Sequence, residues 1–219
     1  APMLMEPFGW RSLWVVTAGI SIIFLMIFFK FMMPTLDSTT HKKETQWEHV
    51  KFTVTRIGPW LLTISFMTYT FQWMTVMVWL PTFAVEERGL NIGIASMLAA
   101  AAIAINIPGN WLGSWLIHKG VPRWIIIAIG SLTMGTLSLV IFGDYIADNL
   151  RYLVVLIFSF VGGLQPSALI SGTTVHAPTP AQLGVTNGLI YQGSQLGQFI
   201  GPPAVAIIVT STGAWNLAG

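Results

Sequence analysis

The sequence has no cysteine. Disulfide bridges, thiolate chemistry and Cys-ligated zinc are excluded, and the redox compartment leaves no mark on the chain. Charge is nearly as scarce: charged residues are 8% of the 219, against about a quarter in ordinary soluble domains. The net charge of +2 is too small to draw the chain to nucleic acid. All eight acids, from Glu6 to Asp148, fall in loops or at the ends of apolar runs, as do His41, His49, His118 and His176. Proton relays and voltage sensors keep ionisable groups at mid-membrane, and none is placed there. HExxH, GxSxG and paired intramembrane aspartates are also missing. Ser167 and Ser171 have only His176 nearby, at a helix end, so a serine hydrolase is not assembled. No enzyme, cofactor or metal is expected.

What the chain does have is apolar length. It is 54% hydrophobic, with a mean hydropathy of +0.71. An all-α polytopic membrane protein follows, with about six transmembrane helices. The segments are Ser12–Met33, Pro59–Val85, Ile92–Ile117, Arg123–Phe142, Tyr152–Val175 and Gln182–Val209. The one long connection, Pro34–Gly58, is polar, and Trp47, Val50 and Val54 recur in it at helical spacing, as a short surface helix would require. Six crossings put that loop on the same side as His118–Pro122 and His176–Ala181. Seven basic residues share this side, Lys30, Lys42, Lys43, Lys51, Arg56, Lys119 and Arg123, against three opposite, Arg11, Arg88 and Arg151. The positive-inside rule makes the long loop cytoplasmic, with Glu86–Leu90 and Asp144–Asn149 outside. The opening APMLMEP lacks an initiator methionine and a signal-peptide pattern, so the chain is expected to be a piece of a longer protein.

The chain is organised around Gly184–Val209, which carries no charge yet is not uniformly greasy. At about 100° per residue, Gly193, Gly197 and Gly201 share one face, while Asn187, Tyr191, Gln195 and Gln198 share another. Small residues let lipid-embedded helices approach closely. Amides and phenols cannot face lipid without stranding polar groups. The helix is therefore expected to meet another helix on its glycine face, with Pro202 beside it, and a polar cavity on its amide face. The alternative is a packing helix whose amides bond to neighbouring helices. In the second span, Tyr69, Gln72, Trp73 and Val76 share one arc, as a cavity wall would. Trp79, Trp60 and Trp10 suit the interfacial belt. Helix-breaking runs, Ile107-Pro108-Gly109-Asn110 and Gly162-Gly163-Leu164-Gln165-Pro166-Ser167, should kink the third and fifth spans.

Two motifs carry a resemblance to the major facilitator superfamily. Gly113–Arg123, GSWLIHKGVPR, is similar to the family's loop pattern GxLxDRxGRR, with Ile117 at the acidic position. Gly188, Gly197, Gly201 and Pro202 hold the spacing of the pattern Gx8Gx3GPxxGG, with Val205 and Ala206 replacing its last glycines. The run PTPAQLGVTNGLIYQGSQLGQFIGPP resembles bacterial transporters of the cyanate and nitroimidazole permease branch. The resemblance implies helices six to eleven of twelve. Residues 1–33 would hold the end of helix five and helix six, 34–58 the central cytoplasmic loop, and 59–219 a C-terminal transmembrane half lacking its last helix. It also implies rocker-switch transport of a small organic solute across the inner or plasma membrane, with the N-terminal half as partner. The candidate binding residues are Tyr69, Gln72, Trp73, Asn187, Tyr191 and Gln195, with Asn106 and Gln165 beside the broken helices. A receptor or scaffold built on the same bundle is the alternative.

Overall fold

The computed structural model describes residues 9–32 and 46–219. Expectations for residues 1–8 and for residues 34–45 of the central loop, including His41, Lys42, Lys43 and Glu44, lie outside the described residues. Helix α1 (Arg11–Met32) belongs to a first compact unit, residues 1–44. Everything else belongs to a second, residues 45–219: α2 (Gln46–Thr55), α3 (Ile57–Glu86), α4 (Ile92–His118), α5 (Arg123–Phe142), α6 (Asp148–His176), α7 (Pro180–Thr212) and a closing 3-10 turn (Trp215–Ala218). Helix α2 carries Trp47, Val50 and Val54.

Five helices, α1 and α3 to α6, are long and apolar enough to cross a membrane. Helix α7 is the longest at 33 residues and is uncharged, but its amides and glycines keep it below the hydropathy of the others. It begins two residues earlier than its apolar run, because Thr179 caps it through the Gln182 N–H and Pro180 starts the first turn.

Two helix pairs form the second unit, α3 against α7 and α4 against α6, with α5 packed on the far side of α6. Both contacts are made by glycine. A Cβ at Gly193 would meet the Thr63 carbonyl at 2.9 Å, and one at Gly201 the Phe71 carbonyl at 2.8 Å. At Gly197 it would overlap the Met67 carbonyl and come within 2.7 Å of the Thr70 hydroxyl. That hydroxyl also donates to the Ser194 carbonyl at 2.9 Å, and the Trp79 indole donates to the Pro202 carbonyl at 3.0 Å.

The runs expected to kink spans lie inside continuous helices. Helices α4 and α6 are helical throughout, with Pro108 and Pro166 inside them. A Cβ on Gly109 would lie 3.1 Å from the Gly163 Cα, and one on Gly113 2.7 Å from the Leu164 carbonyl. The glycines beside the prolines bring two backbones into contact, which no side chain would permit.

The end opposite the long loop is tied by charge. Arg88 donates to Asp144 at 2.5 Å and lies 3.5 Å from Asp148. The Arg88 hydrogen bond, and then its charge, hold the Asp144 carboxyl below the usual carboxylate range. A carboxyl depressed in the folded state stabilises the fold above its unfolded pKa of about 4, and that contribution is lost as pH falls through the folded value. Asp144→Asn is expected to melt slightly below the parent at neutral pH, since the pair is exposed and screened. The gap should close below about pH 4. Melting curves across that range check it, and a gap independent of pH would rule out the charge as its origin.

Candidate functional site

A polar network crosses the second unit at mid-height. Tyr69 on α3 is buried, at 6% exposure, with its hydroxyl beside the Asn106 side chain of α4. Asn106 Nδ2 donates to the Ser159 carbonyl of α6 at 2.9 Å, and Trp73 Nε1 to the Ser159 hydroxyl at 3.2 Å. Asn110, one turn along α4, donates to Asn106 Oδ1 at 2.9 Å. The Tyr69 ring stacks on Phe66 at 5.9 Å, and Phe66 touches the ring of Tyr191 on α7 at 6.2 Å. Phe66 thus links two of the sequence candidates, Tyr69 and Tyr191.

Below the network, toward the long-loop side, a cavity of about 520 Å³ opens between α4, α6 and α7. Asn110, Ser114, Ser167, Ser171, Thr173, Thr174 and Asn187 are its polar lining, and no lining residue is charged. The Asn187 Oδ1 atom is buried without a hydrogen-bond partner. Such an orphan is costly unless a ligand or water satisfies it. Most lining hydroxyls already donate to their own helix. Ser167 bonds the Leu164 carbonyl at 2.9 Å, and Thr174 the Ser171 carbonyl at 2.9 Å. Their oxygens still offer lone pairs to a solute.

The other candidates are scattered. Gln195 is exposed on α7, one turn beyond Tyr191, which is 47% exposed. Gln72 lies in a different and mostly apolar groove of about 610 Å³, beside Gly135 and Ser138 of α5. Gln165 is fully buried. Its amide donates to Met134 Sδ at 3.2 Å and accepts from the Ser131 hydroxyl at 3.3 Å, so it fastens α5 to α6. The residues that sequence reasoning missed, Asn110, Ser114, Ser167, Ser171, Thr173 and Thr174, carry a legible signal. Asn106, Asn110 and Ser114 recur every fourth residue, which stacks them along one helix face.

This bundle has distant relatives in sequence. The profile of the Major Facilitator Superfamily matches residues 1–216. The chain belongs to that superfamily. Its membership, with five helices apolar and long enough to span, makes it a multi-pass protein of the cell membrane. Among curated relatives, the probable galactarate/D-glucarate transporter of Bacillus subtilis is 23% identical over 249 residues, covering 97% of this chain and 53% of its own. The nitrite extrusion protein of the same organism is 24% identical over 233 residues, covering 99% of this chain and 53% of its own. The chain thus spans about half the length of the relatives it matches. No solved structure matches it significantly. Superfamily and relatives alike are transporters rather than enzymes.

Proposed function

We propose that the chain is the C-terminal part, helices six to eleven, of a secondary transporter that carries a small organic solute by rocker-switch alternating access. In this reading residues 1–33 complete the first half, 34–58 are the cytoplasmic loop joining the halves, and the N-terminal half of the same protein is the partner. Kinship with the cyanate and nitroimidazole permease branch rests on the run from Pro178 to Pro203. The observation that carries the reading is the neutral cavity of Asn110, Ser114, Ser167 and Asn187, which runs up to the Tyr69–Asn106 network. Inside a bundle this apolar, such a wall has no structural need of its polarity. The relatives' names give galactarate or D-glucarate, nitrite, and niacin or nicotinamide as cargo. If this protein carries an anion, the counter-charge comes from the other half, because this wall supplies hydrogen bonds alone.

The test is uptake by the full-length protein in proteoliposomes, over a panel of small organic acids and neutral solutes. For the solute that is carried, Asn187→Ala and Gln195→Ala are each expected to weaken apparent affinity about tenfold, as loss of one neutral hydrogen bond does. Detergent melting should stay unchanged, because neither amide has a strong partner within this half. Tyr69→Phe isolates the hydroxyl without emptying the packed ring site. Unchanged affinity in all three variants would remove Asn187, Gln195 and Tyr69 from the transport path, and no uptake of any solute would favour a receptor or scaffold.

A further inference from the structure

A second cavity lies at the long-loop end of the bundle. It holds about 530 Å³ between α2, the first turns of α3 and the end of α6. Two of its lining groups are basic in kind, Arg56 and His176, and most of the others are apolar, including Phe52, Ile57, Leu61 and Val175. That volume is in the range of ordinary small-molecule sites.

Arg56 is the unusual member. It is exposed at the junction of α2 and α3, and its guanidinium lies over the Phe52 ring at 4.8 Å. Among the described residues it has no carboxylate partner. By contrast, Arg88 and Arg151 are both paired to Asp148. The one acid of α2, Glu48, is at the far end of that helix, in its first turn, and Lys51 on the same helix is exposed. The Trp60 indole donates to the Val54 carbonyl at 2.9 Å, fixing the corner that presents Arg56.

An apolar track leads away from that charge. Ile57, Leu61 and Ile64 are 74%, 58% and 50% exposed. Their spacing puts them on one face of α3, running from the corner into the apolar length of the helix. A basic group over an aromatic ring, then a pocket, then an exposed apolar stripe, matches a molecule with an anionic head and a hydrocarbon tail. A soluble anion would need the charge and not the stripe.

We infer that this corner binds an anionic phospholipid, with the headgroup phosphate on Arg56 and an acyl chain along Ile57, Leu61 and Ile64. The inference needs the chain to be membrane-embedded and does not depend on what it transports. An arginine offers the phosphate a planar, forked donor set. One basic residue near a membrane surface contributes enough to favour an anionic over a zwitterionic lipid about fivefold.

Native mass spectrometry of the full-length protein tests it, with dioleoyl phosphatidylglycerol or dioleoyl phosphatidylcholine added in equal amounts. The expected result is about fivefold more retained phosphatidylglycerol. That preference should disappear in Arg56→Gln, persist in Arg56→Lys, and survive excess inorganic phosphate. The Arg56→Gln protein should melt like the parent, since Arg56 is exposed and unpaired. Equal retention of the two lipids, or an undiminished preference in Arg56→Gln, overturns the site. Displacement of the lipid by inorganic phosphate overturns the assignment to lipid and leaves a free-anion site. Loss of uptake with lipid binding intact would count against the transport reading alone.

Discussion

Gly197→Leu is expected to prevent stable folding of the bundle, while Gly188→Leu on the same helix melts like the parent. At Gly197 a Cβ would overlap the Met67 carbonyl and press on the Thr70 hydroxyl, and backbone cannot step aside as a flexible side chain can. At Gly188 a Cβ meets nothing within 4 Å. Overpacking a tight contact costs about 1–3 kcal/mol when side chains can shift, and more when backbones must part. The bond from Thr70 to the Ser194 carbonyl would be lost in the same movement. Fluorescence-detected size exclusion and melting of the full-length variants measure this. Equal behaviour of the two leucine variants would mean that α3 and α7 are not in close contact through this glycine.

Arg151→Met should destabilise the protein by about 3–5 kcal/mol, the usual range for breaking a buried charge network. Arg151 is 1% exposed, the largest fully buried side chain described. Its guanidinium donates to the carbonyls of Val140 at 3.2 Å, of Ile141, of Gly143 at 2.5 Å and of Ile146 at 3.3 Å. Asp148 balances its charge at 3.3 Å. These acceptors include the last carbonyls of α5, which have no partner within their own helix. Methionine fills the volume and satisfies none of them. Arg151→Lys should recover only part of the loss, because an ammonium cannot reach four carbonyls as a fork does. A methionine variant that melts with the parent would show that water replaces the guanidinium at no cost.

The helices were legible because hydropathy reports them directly, and the boundary of α5 at Arg123–Phe142 coincides with its apolar run. Even α7 was legible, since a long stretch without charge stood out despite its modest hydropathy. The candidate site was legible only in part. Gln72 and Trp73 share an arc of α3, but that helix sits between partners, so adjacent positions open onto different spaces. Gln165 read as a cavity amide because sequence cannot show that Met134 and Ser131 satisfy it. The close approach at the Gly-Pro runs was not legible, because a facing backbone leaves no mark in the sequence of either helix. Arg151 counted as a topology signal, since nothing in its neighbours announces that α5 ends against it.

The absence of ionisable groups from the α4–α6–α7 cavity has an electrical consequence. The membrane potential does work of about 2.3 kcal/mol per 100 mV on each elementary charge that crosses the bilayer. A wall of serine, threonine and asparagine carries no such charge, so voltage exerts no net pull on it however far it moves. Any voltage dependence of uptake must enter with the solute, with a co-transported ion, or from residues beyond this wall.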